Sequence, residues 1–434
     1  MPTTTLIHST RIFSGTTLLT SSGSILFSTS PPTILSLHLS NPTPLPPADI
    51  VINGTGHTIL PGLIDGHVHC HKGVPELAKA IKFGVTTVCD MYSEVENVEG
   101  VKRALGTWER GDGEEGMEEG RGRNDVANFR SACLPATVEG GWPEPVLRAT
   151  VVDGDVADKW IARWPKLKTA EDAEAFVKLN ISRGADYIKL MHESGSVMAH
   201  TGPLPTPSIA LQASVIASAH AHNKITLAHA LSMKDTLAVL EAGTDGLAHC
   251  FCDEMPTKEL VEAYKKHDSF LIPTLIVVAT LTGEETDSSE DFLNSDLAKK
   301  HLGEEEKTCF CQRMMMGKKE CKVEYAYQTV RLLKENGLDI VAGTDTATGL
   351  KGTAFGLSLH QELTLYVERC GFSPIDALSS ATSVSARRFR MSDRGVLKEG
   401  FRADVLMVKG DPTVDIRDLG NVEGVWRGGE RLAV

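Results

Sequence analysis

Leu60-Pro61-Gly62-Leu63-Ile64-Asp65-Gly66-His67-Val68-His69 carries an apolar, strand-like run directly into two histidines one residue apart. Alternate residues of a strand point to the same side, so His67 and His69 can present both imidazoles to one ion at the strand's C-terminal end. A His-x-His pair on its own is a weak signal, and its meaning depends on what the rest of the chain brings to the same place.

Outward from this stretch, short apolar runs alternate with helical patterns, as a parallel sheet wrapped by helices requires. The runs end near Ile64, Val88, Leu134, Ile188, Leu227, Leu247, Ile272 and Val341, which makes eight candidate strands. Amphipathic helices separate them, for example Ser208–Asn223 and Met233–Ala242. The repeat predicts an α/β fold, a (β/α)8 TIM barrel over residues 59–393, with its active site at the C-terminal mouth of the strands.

The two ends of the chain read differently. Residues 1–58 alternate β-prone runs (Leu6-Ile7-His8, Ser24-Ile25-Leu26-Phe27, Thr33-Ile34-Leu35) with Ser, Thr, Pro and Gly. Residues 394–434 return to β character at Val405-Leu406-Met407-Val408 and Gly424-Val425-Trp426. These segments are predicted to pair into one small β-sandwich domain built from both termini. Two stretches interrupt the barrel repeat: the Gly-rich, charged Trp108–Asp125, read as a surface loop or a lid, and the charged helical Thr280–Glu324, whose Met314-Met315-Met316 pack on the barrel or line a pocket mouth.

Composition narrows the function. With 434 residues, 41% of them hydrophobic and 23% charged, the chain can build a large core plus a smaller domain. Its net charge of −13 and lack of long basic runs argue against nucleic acid as a partner. No basic n-region precedes the first apolar residues and no long apolar run occurs, so membrane insertion and secretion are not expected and a cytoplasmic location is. Nine cysteines without framework spacing read as reduced thiols.

The meaning of the histidine pair comes from later strand ends. Asp186-Tyr187-Ile188-Lys189-Leu190-Met191 places a lysine inside an apolar run, where an ammonium loses its hydration; such a lysine needs a chemical reason, of which an ion pair within the barrel is the plain one. His229 ends Ile225-Thr226-Leu227-Ala228 and His249 ends Gly246-Leu247-Ala248, while Asp345 follows Ile340-Val341-Ala342-Gly343-Thr344. Each histidine alone could be a satisfied core residue, but six potential ligands at the ends of five predicted strands point to a metal site.

These motifs, with Tyr-Ile-Lys-Leu-Met at 187–191, Ala-Gly-Thr-Asp at 342–345 and Gly-Phe-Ser-Pro-Ile-Asp-Ala-Leu at 371–378, resemble the amidohydrolase superfamily. The resemblance is to its two-metal branch, related to imidazolonepropionase-like peptidases, Xaa-Pro dipeptidases and ochratoxinase. It implies that His67, His69 and Asp345 hold the first of two divalent ions, His229 and His249 the second, and that Lys189 bridges both as an N-carboxylated lysine. Zinc is the expected metal for such N and O ligands, with manganese, cobalt or iron as alternatives. Two such ions sharing a water lower its pKa from roughly 15.7 toward about 7. Asp345 is then the catalytic base that takes a proton and passes it to the leaving nitrogen.

The reading is therefore hydrolysis of an amide or peptide-like C–N bond in a small molecule. Lactamase, lactonase or deaminase chemistry on a cyclic substrate, metal-assisted decarboxylation or isomerisation, and a non-catalytic scaffold are the alternatives. A homo-oligomer is expected. The segment His192-Glu193-Ser194-Gly195 departs from the branch pattern of a small residue and a Gly-rich turn, so His192 is read as a substrate-binding residue or as a loop histidine bonded to backbone. His71, His220, His222 and His360 are weaker candidates.

Overall fold

The computed structural model describes residues 2–108, 123–150, 154–284 and 289–433. The β-prone runs near the N-terminus form β1 (Thr4–Phe13), β2 (Leu18–Ser28), β3 (Ile34–His38), β4 (Ile50–Asn53) and β5 (His57–Pro61). Parallel strands follow: β6 (Leu63–His69), β7 (Val85–Asp90), β8 (Asn128–Ser131), β9 (Pro135–Ala136), β10 (Ile188–Met191), β11 (Thr226–His229), β12 (Gly246–Ala248), β13 (Phe270–Ile272) and β14 (Thr346–Ala347). The chain closes with β15 (Val405–Lys409), β16 (Val422–Arg427) and β17 (Glu430–Leu432).

Both termini share one eight-stranded sheet, ordered β17-β16-β15-β5-β1-β2-β3 with β4 on β1. β15 runs antiparallel to β5, from Val405 opposite Pro61 to Lys409 opposite His57. Alternation turns Ile7, Ile12, Ile25, Phe27, Val405, Met407 and Trp426 into a common apolar cluster. The Phe27 ring meets Trp426 edge-on at 5.8 Å. The chain passes from this sheet into β6 through Gly62, where a Cβ would lie 2.3 Å from the Thr86 side chain. A side chain at that crossing would push β6 away from β7.

The parallel strands form two sheets, β13-β12-β11-β10-β9 and β14-β6-β7-β8. Main-chain hydrogen bonds join them at both ends. On one side Asp186 N donates to Ser131 O at 2.8 Å. On the other, Val341 N donates to Leu271 O at 2.9 Å and Gly66 N to Ala342 O at 2.8 Å, which brings the path back to β6. The intervening helices begin where capping chemistry permits. Ser208 accepts from Leu211 N to start Ile209–Ala221, and Ser232 accepts from Asp235 N to start Met233–Ala242.

Two strand expectations differ in detail. The run expected to end near Leu134 is split, because Cys133 adopts φ 61 between β8 and β9. The run ending at Val341 makes a single bridge from Ile340 to Leu271, and the next paired segment, β14, lies beyond Asp345 at φ 55. Most of the Trp108–Asp125 insertion, residues 109–122, lies outside the described residues. Within Thr280–Glu324 the described parts form helices Ser289–Asn294, Asp296–His301 and Glu304–Cys311, and Met314 and Met316 pack against the main core while Met315 is exposed.

Candidate metal centre

β6 delivers His67 and His69 side by side, and the chain after Val341 delivers Asp345 against them. Asp345 N and Thr344 N both donate to His67 O, at 2.7 and 3.1 Å, so the carboxylate is tied to the strand that carries the histidines. His67 Nε2 and His69 Nε2 each lie 3.1 Å from Asp345 Oδ1. The other nitrogen of His69, Nδ1, faces the Tyr92 carbonyl at 3.3 Å. Its N–H is accounted for there, which leaves a lone pair on the Asp345 side.

Consecutive strands bring the remaining ligands. His249, one residue past β12, packs its ring 4.8 Å from that of His67 and 4.6 Å from that of His229 at the end of β11. His249 Nδ1 lies 2.9 Å from Thr274 Oγ1 and 3.8 Å from Asp345 Oδ2. His67, His249 and Asp345 offer ligand atoms within 4.8 Å of one another. Trp142 stacks on the face of His229 at 5.2 Å, and Glu193 Oε2 lies 3.4 Å from its Nε2. Lys189 sits in β10, which pairs directly with β11, and is 1% exposed.

The donor set fits divalent cations on two grounds. Among the described residues, both ring nitrogens of His67 and Nζ of Lys189 are buried without a hydrogen-bond partner; His67 Nε2 is near Asp345 but out of line for a bond. Buried polar atoms are ordinarily satisfied, so several orphans in one place mark a missing partner. The electrostatics point the same way. Burial pushes the His67 imidazolium down to about 3 and, against the pull of Asp345, the Lys189 ammonium down to about 7. Burial works to raise the Asp345 carboxyl, but the imidazoles of His67 and His249 outweigh it and hold it well below the usual carboxylate range. Neutral imidazoles and an ionised carboxylate are the forms that bind metal.

His192 is buried, with Nδ1 2.9 Å from Gln212 Nε2 and Nε2 3.6 Å from Asp235 Oδ1. His71 is exposed and stacks on His69 at 5.5 Å. His220 pairs with Asp245 at 2.8 Å, His222 closes the helix Ile209–Ala221, and His360 donates to the Phe83 carbonyl at 2.8 Å. Sequence reasoning missed Thr274, Trp142 and Asp65, whose carboxylate accepts from Thr344 Oγ1 at 2.8 Å and from His67 N at 3.2 Å. Of these only Asp65, inside the His-x-His stretch, had a local signal. A cavity of about 760 Å³ opens elsewhere, lined by His301, Lys409 and Arg417 among others, and no residue of the ligand cluster lines it.

Comparison with known proteins places the chain in a family. Ochratoxinase of Aspergillus niger is 29% identical over 268 residues, 60% of this chain and 49% of its own length, so the chain spans about half of that curated relative. A Xaa-Pro dipeptidase solved with methionine in its active site superposes with a TM-score of 0.72 at 21% identity, covering 99% of both chains. The crystal structure of A. niger ochratoxinase superposes with a TM-score of 0.71 at 19% identity over 99% of this chain and 95% of that one. Residues 58–432 match the model of the amidohydrolase family, and the chain belongs to that family.

Proposed function

We propose that this amidohydrolase is a metal-dependent hydrolase of an amide or peptide-like C–N bond in a small molecule. The observation that carries the reading is the unpartnered, buried nitrogens of His67 and Lys189, with the rings of His249 and His229 packed beside His67 and the ionised Asp345. His67, His69 and Asp345 would hold one divalent cation and His229 and His249 a second, with zinc the expected metal. When bound, the ions supply Lewis acidity toward water and toward the substrate carbonyl. N-carboxylated Lys189 is the proposed bridging ligand. Its burial supports this, because lowering the ammonium to about 7 exposes free amine at neutral pH, the form that adds to carbon dioxide.

Asp345 does the proton work. Water oxygen bonds to the carbonyl carbon, its proton passes to the Asp345 carboxylate, and that proton moves to the nitrogen as the C–N bond breaks. Trp142, partly buried against His229, supports a substrate with an aromatic or amino-acid part. His192 keeps its proposed place on the substrate side through its ring face, since its two nitrogens are directed at Gln212 and Asp235. The ring of main-chain bonds through β6, β11 and β13 supports a closed (β/α)8 barrel over 59–393, with residues 1–58 and 394–434 as the terminal β-sandwich domain. A homo-oligomer is proposed as well.

The test is a screen of N-acyl amino acids and dipeptides alongside lactams, lactones and amino-substituted heterocycles, with and without a chelator, read by mass spectrometry. An amine plus a separate acid, lost on chelation, is expected. A single ring-opened acid or released ammonia would move the reading to a cyclic substrate, and turnover unaffected by chelation would overturn it.

A further inference from the structure

Glu193 lies four residues past Lys189, in the turn that follows β10. Its side chain is fully buried. One carboxylate oxygen, Oε1, accepts from Gly195 N at 2.7 Å. The other, Oε2, has no hydrogen-bond partner among the described residues and faces His229 Nε2 at 3.4 Å, a nitrogen equally without one. A buried anion with half its acceptor capacity unused is unfavourable unless positive charge or a donor is brought to it.

The turn that carries Glu193 is pinned on every side. His192 N donates to His229 O at 3.2 Å. Ser194 donates to Asp235 Oδ2 twice, from N at 3.0 Å and from Oγ at 2.7 Å. Gly195 takes φ +75, and a Cβ there would meet Gly202 O at 2.6 Å, so the residue that anchors Oε1 has no room for a side chain. The carboxylate is thus held by the backbone, and Oε2 can address little except His229. Trp142 stacked at 5.2 Å restrains the same ring from its face.

We infer that Glu193 is the positioning residue of His229: its carboxylate accepts from the Nε2–H and fixes the tautomer whose lone pair is on Nδ1. A neutral imidazole has one N–H and one lone pair, and a carboxylate at one nitrogen decides which is which. The same contact raises the basicity of the ligating nitrogen, and its loss from a metal site weakens binding by roughly 10–100-fold. The inference rests on the reading of His229 as a ligand of the second cation.

The test compares wild type with Glu193→Ala, Glu193→Gln and His229→Ala, each stripped of metal and titrated with zinc against a competing chelator. Long-range 1H–15N correlation of 15N-histidine-labelled wild type and Glu193 variants reports the His229 tautomer independently. In wild type two equivalents are expected, with His229 protonated at Nε2. In Glu193→Ala the second equivalent should weaken by roughly 10–100-fold, the first should be unchanged, and the His229 tautomers should mix. Glu193→Gln should recover most of the loss, because its amide oxygen still accepts from Nε2.

Wild-type affinity for both equivalents in Glu193→Ala, or an Nδ1–H tautomer in wild type, overturns the inference. So does a loss in Glu193→Gln as complete as in His229→Ala, which would place the carboxylate on the cation itself. If Glu193→Ala fails to fold, the glutamine variant and the wild-type tautomer decide. Absence of zinc binding by wild type would instead sink the metal-site reading, while the tautomer would still report on the Glu193–His229 pair.

Discussion

Glu362 links a peripheral helix to the ligand cluster, and its protonation can be tested through stability. It is fully buried on helix Leu357–Cys370 and caps helix Leu275–Thr282, accepting Leu275 N at 2.8 Å and Ile276 N at 3.0 Å. Thr274, just before that helix, makes no side-chain cap of its own; its hydroxyl is at His249. Burial, only partly opposed by the two N–H groups, pushes the Glu362 carboxyl from 4.5 up to about 8. Because the folded pKa is raised, the folded state binds more protons than the unfolded state between those values. Stability from this group is therefore complete below pH 4.5 and is lost as pH rises toward 8. At 1.36 kcal/mol per unit the loss is about 5 kcal/mol.

Glu362→Gln removes the titration while keeping the shape. Its amide NH2 faces one of the two N–H donors, leaving one buried donor unpaired at about 1–3 kcal/mol independent of pH. The variant should be less stable than wild type in acid, and the two should cross at about pH 5–7, with the variant the more stable at pH 9. Urea midpoints of both proteins, stripped of metal and measured from pH 4 to 9, give the difference, in which the other titrating groups cancel. A variant that is more destabilised at pH 9 than at pH 5 would show that the carboxylate is an ionised helix cap and would refute the argument.

Three further outcomes follow from particular contacts. Lys189→Ala should lower the metal content of protein purified without chelator sharply from two equivalents, measured by elemental mass spectrometry; one equivalent untouched by the mutation would remove the bridge. Gly343→Ala would place a Cβ 2.5 Å from Ile272 Cγ2 and 2.8 Å from His67 N, so about 1–3 kcal/mol of destabilisation in thermal unfolding and a loss of metal are expected together. Unchanged metal content would mean that His67 does not depend on this close approach. Ser232→Ala loses the 3.1 Å bond from Asp235 N that starts helix Met233–Ala242 and should lower stability by about 1 kcal/mol with metal content intact; a loss of metal would show that the cap also supports the site.

The candidate ligands were legible because they stand at the ends of apolar runs, His67 and His69 sharing one, and that is a local pattern. Lys189 was visible for the opposite reason, as a charge in an apolar run, and its 1% exposure makes the anomaly physical. Partners drawn from distant parts of the chain were not legible. Thr274 reaches His249 across 25 residues and Glu362 reaches Leu275 across 87. His192 and Glu193 were noticed together as bulky departures, but composition does not say where a loop side chain points. The structure directs the nitrogens of His192 at Gln212 and Asp235 and turns the Glu193 carboxylate toward His229. Strand lengths also escaped, since Cys133 at φ 61 breaks a run that reads as continuous.

Backbone strain explains why the cluster needs such support. His249 at φ 77, Thr274 at φ 48 and Asp345 at φ 55 all take the left-handed conformation, which is rare for side-chain-bearing residues and most unfavourable for β-branched threonine. Each costs about 1–3 kcal/mol. The conformation lets a strand stop and turn at the residue that must face its neighbours, so three such turns meet where the ligands meet. Local contacts offset part of the strain: Asp345 N on His67 O, Thr274 Oγ1 near His249, and Glu362 on the helix behind Thr274. Among the described residues, the unpartnered nitrogens of His67 and Lys189 remain uncompensated by any of these. A ligand that binds only the folded chain adds its binding free energy to stability. Cations held by this cluster would thus return stability at the place where the fold gives it up, and the same strained turns that weaken the metal-free chain would hold the donors in position.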